Sequence, residues 1–533
     1  MLNDSLSARI FIRIAIFALQ SIGPLSLAWT TLIACDILIH GKSLSSLRLP
    51  GLQTYVAAEA LFYLLFLWYR RHLQREAIHP PLRSREERKQ LIDQVRNEIH
   101  DVDRFLSGWF RGANPDTIGR DDLKSFLAWV FWEGRSTEED AEELEEYTQV
   151  VEGLAGHAFP ERKGTARALR LTLDPIDMAV RSLAWYGIIM LVDHITFVRF
   201  WAAGFSYRRT SVARPWVFPP RPAALLVGGN MSPARKLSYW VRPHTSKTRL
   251  PVLFIHGIGV GLETAVETLK ALNKQKTSSD GDIGILALEV LPISSRLTSP
   301  ILRRDEFIRQ ITTILDAHGY DEFVLVSHSY GSVFSSYMLT HEALVSRISA
   351  TVLLDPVTIL LHMPDVAFNF TVRAPRTANE WQLWYFASQD PQVAHTLGRH
   401  FFWYENCLWR SRIEELLRGG MRMTVSLASR DLIVDTKAVA RYLTDNAVPD
   451  PVLETEGGHD HMELEADGQA TSSEPWKERP WTGRGLDILW CEDLDHAQVF
   501  DDPVARARLV RVVRKYTEKG ASSMPRRERY TDR

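Results

Sequence analysis

The chain is poor in cysteine and carries no surplus of charge of either sign. Cys35, Cys407 and Cys491 are scattered and form no C-x-x-C pair, which argues against a disulfide framework and a thiolate zinc site and fits a reducing compartment. Its 63 basic residues are matched by 65 acidic ones, so the electrostatic footprint of a nucleic-acid binder is missing. No internal repeat is evident. What the chain does have is tryptophan, 16 residues of it, and length. Single cores stop growing at roughly 250–300 residues, so its 533 residues imply more than one structural unit.

Residues 14–35 contain no charged side chain and are long enough for a helix to cross about 30 Å of hydrocarbon. Residues 52–69 form a second apolar stretch that holds only Glu59 and ends at Arg70, Arg71 and Arg75. Together they predict a transmembrane hairpin within a membrane anchor over 1–78. Gly23 and Pro24 interrupt the first stretch, a break that spans tolerate when neighbours satisfy the freed backbone. The competing reading is a cleaved secretory signal, but the apolar run is longer than such signals have and no small-residue cleavage site follows it. Basic residues at the two outer ends outnumber Lys42 and Arg48 between the spans, which would place the bulk of the chain in the cytosol.

From 79 to 222 the pattern becomes helical. Leu91, Ile92, Val95, Ile99 and Val102 recur at steps of three and four, and residues 138–146 make an acidic helical run. Residues 126–132 and 185–205 are aromatic. In the second of these, Asp193, His194 and Arg199 argue against a third span and for a helix packed on the following domain or lying in the lipid interface. Pro215, Pro219, Pro220 and Pro222 mark a linker.

Short apolar runs then alternate with helical stretches: 252–255, 283–288, 323–326, 350–354, 423–427 and 486–490. Runs of this length between helices such as 302–317 and 332–339 predict βαβ units and a mostly parallel, buried sheet over 223–518. The aromatic segment 362–420 is too long for a plain connection. Residues 455–484, rich in Glu, Gly, Ser and Pro, read as a disordered surface insertion, and 519–533 as a polar basic tail.

Ser327, His328, Ser329, Tyr330 and Gly331 follow one predicted strand and open a helix, the context in which G-x-S-x-G becomes a nucleophile elbow. On this motif and its placement the chain resembles the α/β-hydrolases over about 237–516, with Ser327 in place of the first glycine. The resemblance implies an α/β-hydrolase fold in which 362–420 is the helical cap. It also implies Ser329 as nucleophile, with oxyanion donors from the backbone N–H groups of Ile258 and Tyr330. The family order of serine, acid, histidine assigns Asp431 as the acid and His496 as the base, each just after a late strand. Asp355, after the preceding strand, is the alternative acid. His256 reads as a structural residue of its loop, and His328 as one pointing away from the site. Asp435 reads as a helix N-cap, and His459 and His461 as members of a solvated loop.

With the anchor and the aromatic cap, the resemblance implies a membrane-anchored serine hydrolase acting on a hydrophobic or lipid ester, with no metal or organic cofactor. An acyltransferase using the same three residues, and an inactive membrane-tethered interaction protein, are the alternatives.

Overall fold

In the computed structural model, which describes residues 5–40, 50–210, 217–225, 230–274, 280–444 and 474–519, the apolar runs assemble into one eight-stranded sheet. The strands are β1 (Ser206–Arg208), β2 (Ser238–Arg242), β3 (Val252–Ile255), β4 (Ile285–Glu289), β5 (Phe323–His328), β6 (Ile348–Leu354), β7 (Arg422–Ala428) and β8 (Leu486–Cys491). Their spatial order is β1-β2-β4-β3-β5-β6-β7-β8. The first two strands pair antiparallel, and every neighbour from β4 to β8 is parallel. Each of β3 to β7 is buried along its whole length, so both faces must be apolar and the sequence runs on without alternation. Alternate residues still serve opposite faces. Phe323 and Leu325 join one core, which includes the helix Arg304–Ala317, while Val324 and Val326 join the other, which includes the helix Pro503–Thr517. This is the α/β-hydrolase fold with a mostly parallel sheet.

Seven N-terminal helices precede or flank that sheet: α1 (Leu6–His40), α2 (Pro50–Leu73), α3 (Arg85–Glu98), α4 (Val102–Trp109), α5 (Arg120–Trp132), α6 (Ala141–Ala155) and α7 (Leu183–Ala202). α1 and α2 pack as a hairpin in which Gly23 receives the ring of Tyr63; a Cβ there would lie 2.5 Å from Tyr63 Cδ2. Glu59, the one carboxylate of α2, is fully buried and accepts from Leu183 N at 3.0 Å, capping the first turn of α7. The aromatic stretch of α5 is core: Phe126, Trp129, Phe131 and Trp132 are all buried.

α1, α2 and α7 are each long and apolar enough to cross a membrane, over Leu6–Ile39, Gly51–Leu73 and Leu183–Ala202. The charges of α7, expected to argue against a third span, do not face outward. Asp193 pairs with Arg221 at 2.8 Å and Arg296 at 2.5 Å, and Arg199 pairs with Glu263 and Glu267. Phe200, on the inward face, stacks on Trp240 of β2. The outward face is left with Ile188, Leu191, Ile195, Val198 and Trp201, all exposed.

Two further expectations change. Of the stretch read as disordered, 455–473 lies outside the described residues, together with His459 and His461, but from Glu474 onward the chain is packed. Trp476 and Trp481 are buried, and the Trp481 indole donates to Thr424 Oγ1 at 3.0 Å. The stretch expected to be a linker contributes Val217–Phe218, which pairs with Leu297–Thr298, and Arg221, which is ion-paired with Asp193 and Glu289. Proline content alone did not mark it as free chain.

Candidate active site

β5 runs directly into a tight turn and then the helix Gly331–Leu339. At the turn Ser329 has φ 52°, a left-handed conformation that a residue with a Cβ adopts only when its surroundings impose it. The turn is held by Ser329 N donating to Leu354 O at 2.9 Å. Gly331 is required by space: a Cβ there would lie 2.5 Å from the carbonyl oxygen of Ile255. Ser327, the departure from glycine, fits because its hydroxyl is buried and accepts from Ser335 Oγ at 2.8 Å.

The loop after β3 closes on the serine from the other side. A Cβ at Gly257 would lie 2.6 Å from Ser329 Cβ, so this close approach depends on glycine. His256, buried in the loop, has Nδ1 at 2.7 Å from Gly257 O and accepts from Val290 N at Nε2, 3.0 Å, and burial holds its pKa down to about 4. Such a ring is a neutral strut. Ile258 and Tyr330 line one pocket with Ser329, and their backbone N–H groups donate no hydrogen bond among the described residues.

Late loops bring the remaining residues in. His496 Nε2 lies 2.8 Å from Ser329 Oγ, and His496 Nδ1 lies 2.7 Å from Asp431 Oδ2. The other oxygen of Asp431 accepts from Ile433 N at 2.7 Å and Val434 N at 2.9 Å, which fixes the carboxylate in the turn after β7. Burial disfavours the charged imidazole, yet the Asp431 charge and hydrogen bond, with Asp355 and Asp495 behind them, raise His496 to about 9.

Asp355 sits within the same group but is used differently. Its two oxygens accept from Ala428 N and Ala497 N, each at 3.0 Å, so it clamps the end of β7 to the loop that carries His496. Burial, then the neighbouring Asp431 charge, push it up to about 7. Asp495 makes a second clamp, accepting from Leu432 N at 3.1 Å and from His496 N at 2.7 Å. Sequence reading did not find these clamps, because Ala428 N, Ala497 N and Leu432 N are backbone donors far from their carboxylates in the chain. Asp355, Asp431 and His496 bring one donor atom each within 4.8 Å of one another, as a cation site would. Both ring nitrogens of His496 are already engaged, by Asp431 and Ser329, which leaves no free lone pair for an ion.

His328 differs from expectation. Its ring is buried 5.3 Å from the ring of His496 and edge-on to Phe500, so it packs beside the site. Burial, then the proximity of His496, hold its pKa well below the ordinary value. Asp435 accepts from Ala438 N at 3.0 Å at the start of a helix and pairs with Arg104, away from the serine.

Ser329 opens onto an apolar pocket. Phe401 and Trp403 come from the segment 362–420, Ile433 from the loop after β7, and Trp109 from α4. Phe370 of that segment joins them, while others turn elsewhere: Tyr385 packs with Ile12 and Ile16 of α1, and Phe386 with Trp185 of α7. The segment expected to be a cap therefore joins the serine pocket to the apolar N-terminal helices.

Residues 251–443 match the model of the alpha/beta hydrolase fold family, and that segment carries the central strands of the sheet. No curated protein matches the sequence. Similar solved structures include a membrane phospholipase A described as a bacterial virulence factor, at 10% identity and TM-score 0.36, covering 63% of this chain and 94% of that one. Two from Bacillus subtilis are carboxylesterase CesB, at 9% identity, TM-score 0.33 and coverage of 61% and 98%, and naproxen esterase, at 9%, 0.34, 60% and 97%.

Proposed function

We propose that this protein is a membrane-anchored serine hydrolase that cleaves a hydrophobic carboxylic ester through an acyl-enzyme on Ser329. The observation that carries the reading is the chain of two short contacts, Ser329 Oγ to His496 Nε2 at 2.8 Å and His496 Nδ1 to Asp431 Oδ2 at 2.7 Å, opening onto an apolar pocket. His496 takes the hydroxyl proton as Ser329 Oγ attacks the ester carbonyl, and Asp431 holds the Nδ1–H tautomer and favours the imidazolium that forms. The N–H groups of Ile258 and Tyr330 donate to the oxyanion. The imidazolium returns its proton to the leaving alcohol as the C–O bond breaks. Water, deprotonated by the same ring, then attacks the acyl-enzyme and releases the acid and the free serine. No step needs a metal or an organic cofactor.

The exposed apolar faces of α1, α2 and α7 support membrane attachment, and the basic cluster after α2 supports a cytosolic catalytic domain. The test is hydrolysis of p-nitrophenyl butyrate by the protein in membranes, with Ser329→Ala as control. Full activity in that variant would remove the reading. Acyl transfer in preference to hydrolysis when an alcohol acceptor is supplied would redirect it. Release of the protein from membranes by an alkaline carbonate wash would refute the anchor.

A further inference from the structure

The pocket at Ser329 has a neighbour. Trp109 and Trp403 line both, and beyond them a second pocket lies among α3, α4, α5 and α6. Its walls are hydrocarbon and aromatic, including Ile92, Phe105, Leu127 and Val150, with Arg96 at its rim. Walls of this kind suit an apolar chain better than they suit water, which needs polar partners.

We infer that the two cavities form one acyl tunnel, with the indoles of Trp109 and Trp403 as the movable partition between them, and that the substrate is a long-chain acyl ester whose tail lies in the helical region. The inference rests on the reading of Ser329 as nucleophile. Three observations carry it. The second pocket shares two walls, Trp109 and Trp403, with the pocket that Ser329 lines. α4 is fixed to the segment 362–420: the Trp109 indole donates to His362 O at 3.2 Å, and a Cβ on Gly108 would lie 2.4 Å from Pro364 Cγ. The aromatic residues on the other side of that segment, Trp381, Trp384 and Phe386, are occupied with the N-terminal helices and leave the tail no equal space there. Each methylene carried past the indoles should gain about fourfold in binding.

The direct test uses the full-length wild-type protein in membranes and a hexadecyl fluorophosphonate with a photoreactive diazirine at the far end of its chain. After attachment at Ser329 and irradiation, peptide mass spectrometry should find the cross-link on α3, α5 or α6. Cross-links confined to the segment 362–420 or to α1 and α2, with Ser329 labelled, would overturn the tunnel and leave the nucleophile standing. A protein that takes no label on Ser329 would overturn both. Independently, Val151→Trp, which fills the second cavity, should lower the ratio of kcat/KM for p-nitrophenyl palmitate over butyrate by about a hundredfold, the worth of three to four methylenes at about fourfold each. An unchanged ratio would also overturn the tunnel.

Discussion

The charges around His496 fix how turnover should respond to pH. Burial works against the imidazolium, but Asp431 at 2.7 Å, with Asp355 and Asp495, brings the ring to about 9. Set against its ordinary value of 6.5, this favours the imidazolium by roughly 3 kcal/mol. That preference helps the transition state, in which the ring becomes charged, and it hinders the resting protein, in which the ring must be neutral to accept a proton. At pH 7 about one molecule in a hundred is competent, so kcat/KM should climb about tenfold per pH unit and level off at about pH 9. Stability should move the other way. The folded pKa lies above the unfolded one, so the contribution of this ring to stability is fully present below about 6.5 and is lost as the pH rises through about 9. Asp355, held up to about 7, is half protonated at the foot of that range and mostly ionised above about pH 8, so the slope is read between about pH 8 and 9. Asp431→Asn should lower the plateau by about ten-thousandfold, through loss of the correct tautomer and of the imidazolium's partner, and should also shift the limb to lower pH. The assay is kcat/KM for p-nitrophenyl butyrate across this range, with thermal melting in parallel. A flat profile between pH 7 and 9, or a limb that stays in place in Asp431→Asn, would refute the reasoning.

Other changes separate the parts of the site. Asp355→Asn keeps the His496 to Asp431 contact while weakening a backbone clamp and removing a lesser charge behind the imidazolium, so the kcat/KM plateau should fall by about tenfold, far less than for Asp431→Asn; the reverse ranking would transfer the acid role to Asp355. Gly257→Ala places a methyl group 2.6 Å from Ser329 Cβ and should cost about a hundredfold in kcat with circular dichroism unchanged, because misplacement by a fraction of an ångström spoils attack geometry. Glu59→Ala removes the buried acceptor of the Leu183 N–H and should lower stability by about 1–2 kcal/mol, read as a drop in Tm in nanodiscs.

β3 to β7 were legible because a strand buried on both faces must be apolar throughout, and β8, at the far edge, because only Asp487 interrupts its apolar run; each run falls within a residue or two of the observed strand. β1 and β2 were not. Ser206–Arg208 and Ser238–Arg242 sit at the antiparallel edge, mix polar and aromatic residues, and are defined by pairing, β1 with β2 and β2 with β4, more than by their own pattern. Ser329, Asp431 and His496 could be named because strand-to-loop placement is a local signal. The clamps of Asp355 and Asp495, the packing of His328 on His496 and the inward charges of α7 could not, since each partner is supplied by tertiary folding. Asp193 reads as a charge in an apolar helix until Arg221 and Arg296 are seen beside it. The helical region offered no motif, and its contribution of Trp109 to the serine pocket became visible only once α4 was placed against Pro364.

The most direct measurement is the mass of the protein after reaction with a small fluorophosphonate, followed by peptide mapping. A single adduct on Ser329, abolished by prior denaturation and slowed by orders of magnitude in His496→Ala, is the expected result. A folded protein that stays unmodified, or that carries its adduct on another serine, would contradict the assignment of Ser329 as the nucleophile.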